Sequence, residues 1–179
     1  MRKLVVTEFI SLDGVVENPG WTFPYWNDEI ANFKGEETSS SDALLLGRVT
    51  YEGFAAAWPT SPDEGAPYFN GVRKYVVSKT LTNAECNNSV IIKDNVMAEI
   101  SKLKQQDGTN LTVHGSATLA RSLLENNLVD VVRLLVYPVV IGKGLRLFDE
   151  NSSAKFNLVE SRQFSSGVVG LIYQPATNS

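Results

Sequence analysis

Residues 111–124 read Leu111-Thr112-Val113-His114-Gly115-Ser116-Ala117-Thr118-Leu119-Ala120-Arg121-Ser122-Leu123-Leu124. A short apolar run passes into a glycine turn, and Leu119, Ala120, Leu123 and Leu124 then recur at the spacing of one helical face. This is a strand, a tight turn and a helix, which ends at Asn126-Asn127. The same succession stands upstream. Residues 42–46 make a short buried strand that enters Gly47-Arg48-Val49-Thr50-Tyr51-Glu52, and the helix beyond it is stopped by Pro59.

Working outward, residues 4–10 are apolar and β-branched around Thr7 and Glu8, which predicts a mostly buried strand stopped by the turn Ser11-Leu12-Asp13-Gly14. Residues 17–26 have no period and carry many aromatics, so this segment is expected to cover an apolar surface or stack on a planar ligand. Asn27 or Asp28 then caps a helix through Ile30 and Phe33. Residues 59–67 read as a polar surface excursion. Strands follow at 74–77 and 90–93, then a helix from an Asp94 cap with Val96, Met97, Ile100 and Leu103 on one face. Residues 129–141 read as one long strand. Residues 156–159 and 168–173 flank the turn Ser165-Ser166-Gly167 as a final antiparallel hairpin.

Strands separated by helices imply crossovers and a parallel sheet. The expected fold is α/β: a three-layer sandwich with a mixed, mostly parallel sheet of about eight strands, helices on both faces and a C-terminal antiparallel hairpin. A length of 179 residues fits a single domain, 1–179. With 43% hydrophobic and 20% charged residues the chain is of ordinary globular type, and collagen-like, disordered and disulfide-scaffold classes are excluded.

Sixteen basic against twenty acidic residues give a net charge of −4, so no overall positive field is available to gather nucleic acid. A local basic site for a small phosphorylated ligand is still allowed. The single cysteine, Cys86, excludes an internal disulfide and a cysteine-based zinc site, and it fits a reducing compartment. The N-terminal segment lacks a signal h-region and no run approaches a membrane span. A cytoplasmic protein without membrane association is expected. His114 is the only histidine and has no metal-ligand spacing with other residues, so no metal is expected.

Gly47-Arg48-Val49-Thr50 and His114-Gly115-Ser116-Ala117-Thr118 each combine a glycine, the N–H groups of a helix start and small hydroxyl residues, which together suit a phosphate. In open α/β sheets such ligands bind beyond the carboxyl ends of the strands, where both junctions lie. A third strand end, Val77-Ser78-Lys79-Thr80, adds a cation between hydroxyls. Arg48 and Lys79 together suit a phosphate monoester. Losing one charge-assisted hydrogen bond, ~1.5–3 kcal/mol, is expected to weaken a 2′-phosphorylated cofactor by about ten- to a hundredfold. The plainer alternatives are tight βα turns and two solvated surface cations.

These segments, with Ser11-Leu12-Asp13-Gly14, Tyr75-Val76-Val77-Ser78-Lys79 and Tyr137-Pro138-Val139-Val140-Ile141-Gly142-Lys143-Gly144, appear in an order that resembles the dihydrofolate reductase superfamily. Within it, the chain is similar to the branch of the bacterial bifunctional deaminase-reductase C-terminal domain, the reductase of riboflavin biosynthesis. The resemblance implies an NADPH-dependent reductase. It implies that Gly47, Arg48 and Thr50, joined by Ser78 and Lys79, hold the adenosine 2′-phosphate and pyrophosphate. It also implies that Gly115, Ser116, Ala117 and Thr118, beside His114, cradle the pyrophosphate, and that the 11–14 turn is a mobile loop over the nicotinamide.

On the substrate side, Phe33-Lys34 suggests Glu29 for the carboxylate that binds a pterin ring, with Asp28 as neighbour and Asp13 as a second candidate. Extra residues separate Pro24 from Glu29. The implied reaction is hydride transfer to a small planar heterocycle, pterin or ribitylaminopyrimidine-like, with a proton delivered by water or a carboxyl group. A carboxyl in a poorly hydrated aromatic pocket is expected to have a raised pKa, and the order of preference is Glu29, Asp13, Asp28. The alternative is a catalytically silent nucleotide-binding sensor or interaction module on the same fold. The resemblance also implies a homodimer, for which the long strand and hairpin are suitable material.

Overall fold

The computed structural model describes residues 1–176. Eight strands form one sheet: β1 (Lys3–Ser11), β2 (Ser41–Gly47), β3 (Arg73–Val77), β4 (Ser89–Ile92), β5 (Asn110–His114), β6 (Val131–Tyr137), β7 (Phe156–Gln163) and β8 (Val169–Pro175). Their order across the sheet is β4-β3-β2-β5-β1-β6-β8-β7. Every pair from β4 to β6 is parallel, while β8 lies antiparallel to both β6 and β7. The expected fold class is the one observed, hairpin included.

Five α-helices connect the strands: α1 (Asp28–Ser39), α2 (Arg48–Ala57), α3 (Ala66–Gly71), α4 (Val96–Gln105) and α5 (Ala117–Glu125). Strand alternation sorts them into two layers. Ala43 and Leu45 of β2, with Leu4, Val6 and Ile10 of β1, pack against Ile100 and Leu103 of α4 and Ala117, Ala120 and Leu123 of α5. Leu44 and Leu46 point the other way, toward Tyr51 of α2 and Phe69 of α3. On that second face Leu135 and Tyr137 of β6 meet Ile30 and Phe33 of α1. Each fully buried Leu, Ile, Val or Phe contributes roughly 1.5–3 kcal/mol, so both central strands are anchored from two sides.

The second face therefore holds two separate apolar clusters with a gap between them. The floor of that gap is Val5 and Thr7 of β1 with Thr112 and His114 of β5, residues brought side by side by the register Val5↔Thr112 and Thr7↔His114.

Several sequence expectations are corrected in detail. The strand expected over 129–141 ends at Tyr137, because Pro138 has no N–H to continue the ladder. The following loop folds back on the loop after β1, with Leu12 N–H bonded to Val139 O (2.8 Å) and Val16 N–H to Leu145 O (2.9 Å). The expected polar excursion over 59–67 contains a 3-10 turn, Trp58–Thr60, and leads into α3, which carries Phe69 into the core. The aromatic segment is a 3-10 helix, Pro19–Tyr25, whose Trp21 and Tyr25 rings meet Tyr137 edge-on. Asn27 caps α1 by accepting the Ile30 N–H at 3.0 Å. At α4 the cap is Asn95 rather than Asp94. No helix among the described residues is long and apolar enough to cross a membrane.

Candidate active site

The two glycine junctions form one structure. Adjacent strands β2 and β5 place Gly47 beside the β5–α5 turn, and the Gly47 N–H donates to Ser116 Oγ at 2.9 Å. The same hydroxyl donates to Thr50 Oγ1 at 3.0 Å. Gly115 has φ +53°, and a Cβ there would stand 3.3 Å from Thr50 Oγ1. A Cβ on Gly47 would stand 3.3 Å from Ser116 Oγ. A side chain at either position would crowd the knot, and the positive φ of Gly115 favours glycine there as well. Ser116 itself is left-handed at φ 60°, and no side chain caps α5. Its first N–H groups, Ala117, Thr118 and Leu119, have no intrahelical acceptor, and the positive end of its dipole faces the rim.

Beside this knot, Arg48 is exposed and paired with Glu52 at 3.0 and 2.9 Å. The register Gly47↔Val77 brings the end of β3 next to it, with Lys79 exposed. Ser78 is buried, and its Oγ accepts from the N–H groups of Thr80 (3.2 Å) and Leu81 (2.9 Å), which fixes the turn that presents Lys79. The expected cofactor residues are therefore gathered at one rim. His114 is the exception, since its side chain turns under the rim onto the second face.

A groove runs from this rim between the two helix clusters. β1 keeps its pairing with β6 as far as Ser11↔Tyr137, but β5 leaves it after Thr7↔His114, with Gly115 N–H bonded to Thr7 O at 3.3 Å. Beyond Thr7 the β5-facing edge of β1 has no strand beside it. One wall of the groove carries Phe9 and Trp26, edge-on at 6.2 Å. The other carries Phe54 and Phe69, both edge-on to His114, with Trp58 stacked on Phe69 at 4.2 Å.

The floor is ionic. Lys34 donates to Thr7 Oγ1 at 3.0 Å and also to Glu37 Oε1. Arg133 Nε lies 3.1 Å from Glu37 Oε2, and His114 Nε2 lies 3.3 Å from Glu37 Oε1. Arg133 further bonds Phe33 O at 3.2 Å and covers the Phe33 ring at 4.3 Å. Burial works to raise the Glu37 carboxyl, but Lys34 and the other donors outweigh it and hold Glu37 below its ordinary value, so it is ionised. Burial, reinforced by Lys34, lowers the His114 imidazole to about 3, so it is neutral.

Sequence reasoning missed this cluster. The signal was present: Ile30, Phe33, Lys34 and Glu37 stand at i, i+3, i+4 and i+7, which puts both charges on the sheet-facing stripe of α1. Arg133 likewise interrupts an otherwise apolar strand.

Each of the three carboxylates expected to supply a proton has its own local surroundings. Asp13 accepts from Ser11 Oγ at 2.6 Å and from the N–H groups of Ile141 (3.1 Å) and Gly142 (2.7 Å). Those bonds, Ser11 foremost, lower it to about 2. Glu29 is exposed and accepts from both the hydroxyl and the N–H of Ser165 in the β7–β8 turn, which hold it below the usual carboxylate range. Asp28 is exposed in the first turn of α1. The carboxyl with a raised pKa is Glu8, pushed up to about 8 by burial against the attraction of Lys34. By strand alternation it lies on the opposite face of β1 from Thr7, and its Oε1 has no hydrogen-bond partner. No grouping of residues suited to a metal ion occurs among the described residues.

A doubly wound eight-stranded sheet, closed by an antiparallel hairpin and carrying paired glycine junctions at its carboxyl rim, belongs to the dihydrofolate-reductase-like class of folds. The chain is a member of the RibD C-terminal domain family, whose family model matches residues 2–170. It is 28% identical over 178 residues to the uncharacterized protein YyaP of Bacillus subtilis (strain 168), covering 96% of this chain and 94% of that one. Among solved structures it is similar to a pyrimidine reductase-like protein of Corynebacterium diphtheriae, with a TM-score of 0.75 at 12% identity over 98% of this chain and 92% of the other. It is also similar to Enterococcus faecalis dihydrofolate reductase, which was solved with NADP(H), with a TM-score of 0.69 at 14% identity over 97% and 96% of the two chains. These structural likenesses establish the fold.

Proposed function

We propose that this protein is an NADPH-dependent reductase that passes a hydride to a small planar heterocycle held in the groove beside His114. The observation that carries the reading is the knot of Gly47, Thr50, Gly115 and Ser116, which joins two phosphate-suited junctions next to Arg48 and Lys79. The donor set fits the group. The glycines let the two turns pack against each other, α5 offers free N–H groups to a pyrophosphate, and two exposed cations at the neighbouring strand ends suit a 2′-phosphate.

When bound, NADPH supplies the hydride. Gly47, Gly115, Ala117 and Thr118 present backbone to the pyrophosphate, with Ser116 and Thr50 keeping the two turns in register. Arg48 and Lys79, with Ser78 shaping the turn, distinguish the 2′-phosphorylated cofactor. The aromatic walls exclude water from a planar ring between them. Water supplies the proton, because Asp13 and Glu29 are held in their ionised form by local hydrogen bonds.

That same placement of the acids favours a second reading, a nucleotide-binding module without turnover. Steady NADPH oxidation with a pterin or aminopyrimidine acceptor decides for the enzyme, and binding without oxidation across such a panel decides for the module. The cofactor assignment is tested by titrating NADPH and NADH against tryptophan emission in the wild type and Arg48→Ala. NADPH is expected to weaken about ten- to a hundredfold and NADH little. Equal binding of both cofactors, unchanged by the substitution, overturns it. A cytoplasmic homodimer completes the reading, with the edge strand β7 exposing Leu158 and Val159 as its surface. Sedimentation checks the subunit count.

A further inference from the structure

The ion cluster on the groove floor is not explained by the cofactor rim, and its hydrogen bonds are incomplete. A lysine ammonium has three protons. Thr7 Oγ1 and Glu37 Oε1 take two of those on Lys34, and no other oxygen or nitrogen acceptor lies within reach among the described residues. The Lys34 Nζ stands 5.3 Å from the Phe9 ring centre. Thr7 and Phe9 are the two groove-facing residues of β1 that bracket the place where β5 departs, so the ammonium sits at the junction of rim and groove. Its side chain is 12% exposed, which leaves it reachable, while Glu37 beneath is 2% exposed.

Lys34 and Arg133 share the buried carboxylate of Glu37 beside a neutral His114, and Arg133 also acts on the exposed carboxylate of Glu36. Arg133 Nε, Glu37 Oε2 and His114 Nε2 are close to one another yet lack aligned hydrogen bonds. An ammonium on a largely buried floor with one N–H left free attracts an oxygen acceptor. It disfavours an amino or amidine edge, which presents further donors to a donor.

We propose that Lys34, held by Thr7 and Glu37, is the substrate-contacting and specificity-determining residue of the groove, donating its third proton to a ring carbonyl or enolate oxygen. The inference rests on the reading that a heterocycle occupies this groove beside NADPH. Glu37 positions the ammonium and Arg133 offsets the charge of Glu37, so that Lys34 remains free to serve the ligand.

The test uses two rings of the same shape. Lumazine carries oxygens at the two positions where 2,4-diaminopteridine carries amino groups. NADP⁺ binding to the full chain is measured first, and its absence overturns both this inference and the reductase reading. Each pteridine is then titrated into the NADP⁺ complex by calorimetry. Lumazine is expected to bind about tenfold or more tighter, and Lys34→Met to weaken lumazine about ten- to a hundredfold with little change for the diamine. Because Lys34→Met leaves Glu37 with fewer partners, Lys34→Met/Glu37→Gln, which removes both charges, is measured alongside. Tighter binding of the diamine by the wild type overturns the assignment of Lys34 while leaving the cofactor reading intact. So do failure of lumazine to bind the NADP⁺ complex and a preference unchanged in the double variant.

Discussion

Ser116 Oγ accepts the N–H of Gly47 at 2.9 Å, across 69 positions of sequence, and its hydroxyl donates to Thr50 Oγ1 at 3.0 Å. One hydroxyl thus ties the β2–α2 turn to the β5–α5 turn. Ser116→Ala leaves the Gly47 N–H without this acceptor, and a loss of roughly 1–3 kcal/mol of stability is expected. Denaturant unfolding measures it, and the same variant should bind NADPH more weakly even at temperatures where it is fully folded.

His114 is the only histidine, so its imidazole gives a single set of proton resonances. Burial holds its pKa at about 3 against an ordinary value of 6.5. Those resonances should not move between pH 5 and pH 8. The unfolded chain binds the proton more readily, so the contribution of His114 to stability is present above about 6.5 and is lost as pH falls toward 3. A resonance titrating near 6.5 contradicts the burial.

Glu8 acts in the opposite sense. Its native carboxyl, raised to about 8 from 4.5, keeps a proton that the unfolded chain releases. Stability is therefore highest below about 4.5 with respect to this group and falls as pH rises through 8, by about 1.4 kcal/mol per unit of difference. Glu8→Gln should flatten the melting temperature between pH 5 and pH 9. An unchanged slope assigns the pH dependence to other groups.

Asp13 clamps two loops, through the N–H groups of Ile141 and Gly142. Asp13→Ala should speed hydrogen exchange at those two amides and leave the rest of the sheet protected. With its carboxyl lowered to about 2 from 3.8, the clamp is complete above about 3.8 and released as pH falls through 2.

Glu29 is bound by Ser165 and Asn27 at the far end of α1 from Glu37. Glu29→Gln is expected to leave any NADPH oxidation rate unchanged within about twofold, since removing a group that does not touch the reacting atoms leaves the barrier in place. A fall comparable to loss of a general acid, about a hundredfold or more, restores Glu29 to that role.

The fold was legible wherever the pattern was local. The apolar run of β2 before Gly47, the Leu119–Leu123 stripe of α5 and the turn at Gly167 each carry their own period or punctuation. The α3 helix was not, because six residues opening Ala66-Pro67 in a polar stretch show no periodicity, and only the burial of Phe69 explains them. The rim residues were legible as types, glycine and small hydroxyl after a strand. The ionic floor was overlooked because a charge on an amphipathic helix reads as solvated unless its angular position is checked.

The amino-acid order alone determined the succession of the eight strands and of α1, α2, α4 and α5, the placement of glycines at strand ends and the absence of an internal disulfide, since each follows from local pattern, short-range sterics or a count. Which carboxylates carry a proton was decided only by the tertiary structure. Asp13, Glu29, Glu37 and Glu8 are chemically alike in the sequence, yet loop amides, a hairpin turn, a cationic floor and an apolar layer act on them differently. Desolvation and Coulomb forces depend on distance through space, and residues such as Thr7, Lys34 and Arg133 become neighbours only when the sheet and α1 close over one another.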